Sequence, residues 1–522
     1  MSEPVRKGGS VPACILLAVI AAASTAAYLW WLYSPGLILW NPDFLAFTQG
    51  FMPARFFPPL YGLLVNLLGG GIAAARILSA IGLVLAISAL VIPAVRRWKA
   101  SFPLAILGLI LAFTAPHLFV TALSPSVDML YTGVALLALV TLSHLTMPLA
   151  KPSVLPARTL ILQLCLYLLY LLRYHGQMLV LAMSLVMALL PGNRKVRVYG
   201  WAFTLLFLLF LALFGRIGMN AATEQVWCGL EFRYHRLAEA GVLDGQPRGG
   251  DVNGYIWDQY SEVVQVARDI SLRYHYSAGE IAVHIADNYY HYLRRPLVLM
   301  GLVLFALGGW PVWRRRDRYL FAAFLLLYPL ALSPAYYTAR ASLLVEFAGL
   351  YLALSVLRDV SESGEKFKRT LTYTAAGLFA LLALVTSYPR MRHEVANWRQ
   401  QLTEADAVEQ VMRKQNIDWR YAWTEDTSVT IRHRNPRSLL TDRAYCSWLD
   451  YAYYTSQALP ERVVPPQILL MQPAKSYKLL IIRDQSLAAT FIAAGNWEYA
   501  TRDTPPALHL LTRADAPELL GD

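Results

Sequence analysis

The chain has 522 residues, 57% of them apolar and only 15% charged, with a mean hydropathy of +0.41. Soluble domains carry about 25% charged residues, so this balance excludes an ordinary soluble enzyme. The apolar residues also fall into many runs of roughly 17 to 25, the length that crosses a bilayer, which one buried core does not produce. A formal net charge of +12 would raise nucleic acid as a partner in a soluble chain. Here short basic loops separate the apolar runs, so the expected partner is anionic membrane lipid, and no nucleic acid is expected.

In chain order, a short basic N-terminus leads into an apolar run over Val11–Tyr33 with no convincing cleavage site, which predicts a retained first helix. The next stretch, Asn41–Gly62, reads NPDFLAFTQGFMPARFFPPLYG and holds an acid, a base, four prolines and a cluster of aromatics. A plain connection between membrane helices needs none of these. Within it, Ala54–Leu68 is expected to form a short helix at the interface, with Phe56, Phe57, Leu60 and Tyr61 in the headgroup region. Further spans are predicted over Ile72–Val95, Phe102–Leu123, Val127–Met147, Thr159–Leu172, Gln177–Leu190 and Tyr199–Phe214. A long polar segment, Gly215–Arg295, is rich in Tyr, Trp, Arg and His, and Ser261–Ser271 and Gly279–Leu293 within it read as helices. Spans over Pro296–Trp313, Tyr319–Leu332 and Tyr337–Leu357 follow, then a mixed-charge linker, Arg358–Arg369, and a last span over Leu371–Tyr388.

From Pro389 the chain is polar enough for a small α/β domain, with a helix over Glu404–Arg413 and strands over Ser428–His433, Tyr477–Ile482 and Ala507–Leu511. The expected fold is therefore mainly α. It has a polytopic domain of about 11 transmembrane helices over residues 1–388 and an extracytoplasmic α/β domain over 389–522. A cytoplasmic start puts every compact basic cluster on one side. The Asp43 loop, Asp128, Arg173, the 215–295 segment and the C-terminal domain then lie on the other side. Cys14 and Cys165 sit in apolar runs. Cys228 and Cys446 sit in polar regions, and spacing alone leaves a disulfide between them open.

Asp43, among Trp40, Pro42 and Phe44, is the strongest candidate for chemistry. A carboxylate partly desolvated by aromatics, in a loop stiffened by proline, can take a proton from an acceptor hydroxyl. Asp128 follows Ser124-Pro125-Ser126 at the start of a span. That placement is good helix-start chemistry, and it also puts a second acid level with Asp43. Two acids in one cavity suit an acid/base pair or a divalent metal. The metal reading is the less favoured, because no His or third acid accompanies them. Arg55, Arg173, His175 and Arg340 stand at outer helix ends or loops. Snorkelling explains any one of them, while together they could clamp a lipid-linked phosphate. Glu346 lies inside a span about two turns from Arg340, at a depth where a carboxylate needs a partner or a polar cavity. No Walker A motif, dinucleotide fingerprint or nucleophile elbow is present, so the energy for a reaction would come from an activated substrate.

Four local patterns resemble the GT-C superfamily of membrane glycosyltransferases, which includes the protein O-mannosyltransferases and the lipid A aminoarabinose transferases. They are Asp43 soon after the first helix, RFFPPLYGLLVNLLG (Arg55–Gly69) followed by AARILS (Ala74–Ser79), SPSVDML (Ser124–Leu130), and YYTARASLLVEFAGL (Tyr336–Leu350). The resemblance implies inverting transfer of a sugar from a polyprenyl-phosphate donor to an extracytoplasmic acceptor. That acceptor would be a cell-envelope glycan, lipid or glycolipid. It implies Asp43 as the base, Asp128 as an acceptor-orienting acid, and Arg55, Arg173, His175 and Arg340 as phosphate ligands, with no bound metal. It also implies a bacterial inner-membrane location with the site in the periplasm. Gly62 departs from the family's usual Pro-Leu-Tyr-Pro, and the first loop lacks the Asp/Glu pair of protein O-mannosyltransferases, which makes protein the second acceptor class. A lipid-linked-substrate flippase is the alternative of a different class, though no inverted repeat is visible. A binding role for the C-terminal domain alone is a third, and a monomer is expected.

Overall fold

Helices dominate, because a segment in hydrocarbon must satisfy its own backbone donors and acceptors. A computed structural model describes residues 11–33, 60–97, 102–123, 126–146, 155–173, 176–189, 194–214, 278–309, 316–333, 339–362, 366–417, 421–424, 430–433, 444–447, 477–495, 497–501 and 508–513. The helices are α1 (Val11–Tyr33), α2 (Leu60–Leu67), α3 (Gly71–Arg97), α4 (Phe102–Phe113), α5 (Pro116–Leu123), α6 (Asp128–Thr146), α7 (Leu155–Leu172) and α8 (Gly176–Leu189). They continue with α9 (Arg194–Phe214), α10 (Ala278–Leu293), α11 (Pro296–Leu304), α12 (Arg316–Leu332), α13 (Ala339–Glu362) and α14 (Lys366–Lys414).

The protein is a mainly helical polytopic membrane protein. Five described helices are long and apolar enough to cross a bilayer, or six if α4 and α5 form one bent span. Shorter apolar helices over Ala157–Leu172, Leu179–Leu189, Pro296–Leu307 and Arg318–Leu332 accompany them. The described residues thus support the class and not the total of about 11. The spans α6 and α13 are buried nearly throughout, whereas α1 and α14 are mostly exposed. On α14 the exposed residues include Leu378, Leu381, Leu382 and Val385, a surface suited to lipid.

Glycine sets two close crossings. A Cβ on Gly82 of α3 would strike the Met129 backbone of α6, and one on Gly133 would strike Gly82 itself. A Cβ on Gly301 of α11 would lie 2.6 Å from the Gly349 carbonyl oxygen of α13. Helices in lipid associate through such small-residue contacts, because no hydrophobic drive separates lipid from leucine.

Several expectations are corrected. The span over Phe102–Leu123 is not one helix: α4 and α5 meet at 60°. Pro116 opens α5 and has no N–H to continue the ladder, and the residue before proline disfavours the α conformation. Ala115 N–H falls back to Ala112 O at 3.3 Å. The span from Pro296 keeps α geometry only to Leu304 and then forms a π turn over Phe305–Gly309. The expected linker is mostly helix, since α13 runs to Glu362 and α14 starts at Lys366. Leu371–Tyr388 and Glu404–Arg413 belong to the single helix α14, which passes through Pro389. Tyr61, expected at the headgroups, is fully buried. Ser261–Ser271 and Cys228 lie outside the described residues, while Cys165 is a buried free thiol.

The chain divides into two compact units, one of Met1–Leu29, Pro42–Ala122 and Ser126–Tyr388, the other of Trp30–Asn41, Leu123–Pro125 and Pro389–Asp522. In the second unit the strands are β1 (Ala422–Thr424), β2 (Thr430–His433), β3 (Ala444–Ser447), β4 (Leu479–Ile482), β5 (Trp497–Tyr499) and β6 (His509–Arg513), with α15 over Gln485–Ala493. Four strands form a sheet in the order β1-β4-β6-β5, with β1 parallel to β4 and β6 antiparallel to β4 and β5. β2 and β3 pair separately, Ile431 opposite Cys446. Three expected strands appear as β2, β4 and β6, while β1, β3, β5 and α15 were not anticipated. Trp423, Leu480, Ile482, Phe491, Trp497 and Leu511 make the core.

Two polar devices hold this unit. Glu404, 1% exposed, accepts from Arg483 Nη1 at 3.1 Å and Nη2 at 2.8 Å, and from Gln400 Nε2 at 2.9 Å. The fork joins the end of α14 to the residue after β4. Glu404→Ala is expected to cost about 2 kcal/mol, read as faster amide exchange in β4 and α15 of the intact protein. Asp484 caps α15, accepting from Ser486 N–H at 2.7 Å, Leu487 N–H at 3.3 Å and Ser486 Oγ at 2.7 Å. The Ser486 hydroxyl and then the two backbone donors hold its pKa below the ordinary carboxylate value. Its folded-state pKa is lowered, so its stabilisation is present above the unfolded value of about 3.9 and is lost as pH falls through the folded value. The stability difference between wild type and Asp484→Ala should therefore close on acidification.

Candidate active site at one end of the helical bundle

The site is built where α6 begins and α7 ends. Ser126 Oγ donates to Asp128 Oδ2 at 2.8 Å and accepts from Asp128 N–H at 3.3 Å. Tyr131 N–H reaches Val127 O at 2.8 Å and closes the first turn. An acid in the first turn also favours the helix dipole. The same Asp128 carboxylate takes the Arg173 guanidinium through Oδ1. Arg173 stands just past α7, its N–H bonded to Leu169 O at 3.1 Å and its carbonyl accepting Gly176 N–H at 2.9 Å. A Cβ on Gly176 would come within 2.6 Å of Leu169 O, so glycine permits the tight reversal that presents Arg173. The Asp128 and Arg173 side chains are 11% and 16% exposed.

One turn along α6, Tyr131 meets Tyr328 of α12, hydroxyl to hydroxyl at 3.4 Å. Both rings are buried, and both feel the charges of Asp128 and Arg173. One turn beyond Tyr328, the Ser333 carbonyl accepts Asn288 Nδ2 of α10 at 2.9 Å, and the same nitrogen lies 3.1 Å from His284 Nε2. An amide nitrogen donates, so His284 Nε2 is the acceptor in this contact. The end of the long polar segment is thereby pinned to α12. Deeper in the bundle, Glu346 Oε1 of α13 lies 2.7 Å from His117 Nδ1 of α5, with both side chains buried. Glu346 Oε2 has no hydrogen-bond partner among the described residues.

Of the residues singled out from sequence, Asp128 and Arg173 come together. Glu346 finds its described partner in His117. Asp43, Arg55 and His175 lie outside the described residues, and Arg340 is in the first turn of α13 with its side chain outside them. Sequence reasoning missed His117, Tyr131, Tyr328, His284 and Asn288. A signal existed for His117: a titratable residue in an apolar run is as anomalous as Glu346, and such residues pair. Nothing in the tyrosine positions set them apart from ordinary packing. Among the described residues no three His, Cys, Asp or Glu side chains converge as metal ligands.

An arginine with one edge held by a carboxylate is a preset fork for phosphate oxygens, and the two tyrosine hydroxyls offer further donors and acceptors. No protein-family model and no curated protein matches the chain. Two solved structures are similar over 96% of this chain and 98% of theirs. ArnT from Cupriavidus metallidurans bound to undecaprenyl phosphate is 12% identical with a TM-score of 0.46. ArnT from Cupriavidus metallidurans in the apo state is 14% identical with a TM-score of 0.35. With TM-scores below 0.5 these likenesses do not establish the fold, and the functional reading stands on the chain's own residues.

Proposed function

We propose that the chain is an inverting membrane glycosyltransferase that moves one sugar from a polyprenyl-phosphate donor to an extracytoplasmic acceptor. The observation that carries this reading is the Asp128–Arg173 pair beside Tyr131 and Tyr328, gathered at the end of the bundle where α6 starts. In the proposed topology the Asp43 loop and the start of α6 share one face of the membrane, since the loop follows α1 while α6 starts after the bent pair α4–α5. Asp43 takes the proton of the acceptor hydroxyl or amine. The freed electron pair attacks the anomeric carbon, the bond from that carbon to the phosphate oxygen breaks, and polyprenyl phosphate leaves with the bonding electrons. Arg173, with Arg55, His175 and Arg340, stabilises the charge that develops on the phosphate. Asp128 holds Arg173 in place, and no step requires a metal. The acceptor is a cell-envelope glycan, lipid or glycolipid, with protein as the second class. The site and the C-terminal domain face the periplasm of a bacterial inner membrane.

The 60° break between α4 and α5 favours a second reading, transport of a lipid-linked substrate, because broken spans line transport sites. Both readings require phosphate recognition. Native mass spectrometry of the purified protein with polyprenyl phosphate and with neutral polyprenol tests it: retention of the phosphate form alone is expected, and equal retention of both would overturn the assignment of the arginine cluster.

A further inference from the structure

Glu346 lies well inside α13, where an isolated carboxylate is costly and ordinarily serves a purpose. Its one described partner, His117, is the second residue of α5, an eight-residue helix that follows the proline break. A helix this short has little persistence of its own, and a bend leaves its direction undetermined by α4. Its far end, about 9 Å along the axis from His117, lies three residues before Ser126, which caps and orients Asp128. The 2.7 Å contact ties the one element that leads into the Asp128 turn to one of the most deeply buried spans.

We propose that His117 and Glu346 are positioning residues: their buried contact fixes the direction of α5 and so sets the placement of Asp128 against Arg173. The pair touches neither donor nor acceptor. It acts through Asp128, and this inference rests on the glycosyltransferase reading only for its kinetic consequence.

A double-mutant cycle in the full-length protein in lipid tests it, with Asp128→Asn, Glu346→Ala and the double variant. Turnover of a radiolabelled polyprenyl-phosphate sugar and the thermal unfolding midpoint are both read. Glu346→Ala should lower kcat/KM for the donor about tenfold, as small misplacements of reacting groups do. Glu346→Gln, which retains a hydrogen bond to His117, should recover most of it. In the Asp128→Asn background the same alanine change should cost at least about threefold less, the coupling expected of residues that act together. A role confined to stability would lower the folded fraction equally in both backgrounds, so additive effects would overturn the proposal. If Glu346→Ala does not fold, His117→Gln takes its place in the cycle. If no donor reacts, the glycosyltransferase reading fails by itself. The thermal midpoints still decide this inference, with coupled shifts supporting it and additive shifts overturning it.

Discussion

Asp43→Asn is expected to lower sugar transfer by roughly a hundredfold to ten-thousandfold, the range lost when a positioned general base is removed. Asparagine keeps the size and polarity of the side chain but cannot hold the proton that the acceptor must lose. Donor KM should stay near its wild-type value, because the proposed base engages the acceptor and the proposed phosphate ligands are separate groups. A matching thermal midpoint would show that the loss is chemical. Full turnover by a folded Asp43→Asn protein would remove this residue from the reaction and shift the search for the base to Asp128, although Asp128 is already engaged by Arg173 and Ser126.

Arg173→Ala is expected to destabilise the protein by about 3 kcal/mol, because it leaves the Asp128 carboxylate nearly buried without its counter-charge. The cost lies in the stranded charge more than in the lost attraction. The Asp128→Ala/Arg173→Ala double variant should therefore be more stable than Arg173→Ala alone, a reversal that thermal unfolding in detergent reads directly. Activity separates the two roles of the pair. The double variant should recover its fold but not its turnover, because the guanidinium proposed to bind the donor phosphate is gone. Equal instability of the single and double variants would mean that the two side chains do not interact.

The legible parts of the fold are those written in runs of one kind. Apolar stretches announce spans because bilayer thickness sets their length, and α3, α6 and α13 lie close to where composition puts them. The break at Pro116 was equally written, in a residue that cannot donate to the ladder, but an unbroken apolar run concealed it. Continuity through Pro389 was harder to see: proline and a rise in polarity read as a boundary, while α14 carries on to Lys414. The strands β1 and β5 are three residues each, too short for alternation to distinguish them from loop.

The candidate site divides in the same way. Asp128 and Arg173 were visible singly, as an acid at a helix start and a base at a helix end, yet their pairing depends on Gly176 permitting the turn between α7 and α8. Tyr131 and Tyr328 are 197 residues apart in the chain and meet only through the packing of α6 against α12. The tie from Asn288 to the Ser333 carbonyl rests on a backbone acceptor, which no side-chain pattern can reveal.

The central claim is tested most directly by purified protein in sealed lipid vesicles, supplied with a panel of radiolabelled polyprenyl-phosphate sugars and an extract of envelope glycolipid. Loss of labelled sugar from the donor, release of polyprenyl phosphate, and crossing of intact donor between leaflets are measured in the same preparation. Wild-type protein should release polyprenyl phosphate and label an acceptor, and folded Asp43→Asn protein should do neither. Crossing of intact donor without release of polyprenyl phosphate would contradict the account and make the chain a transporter.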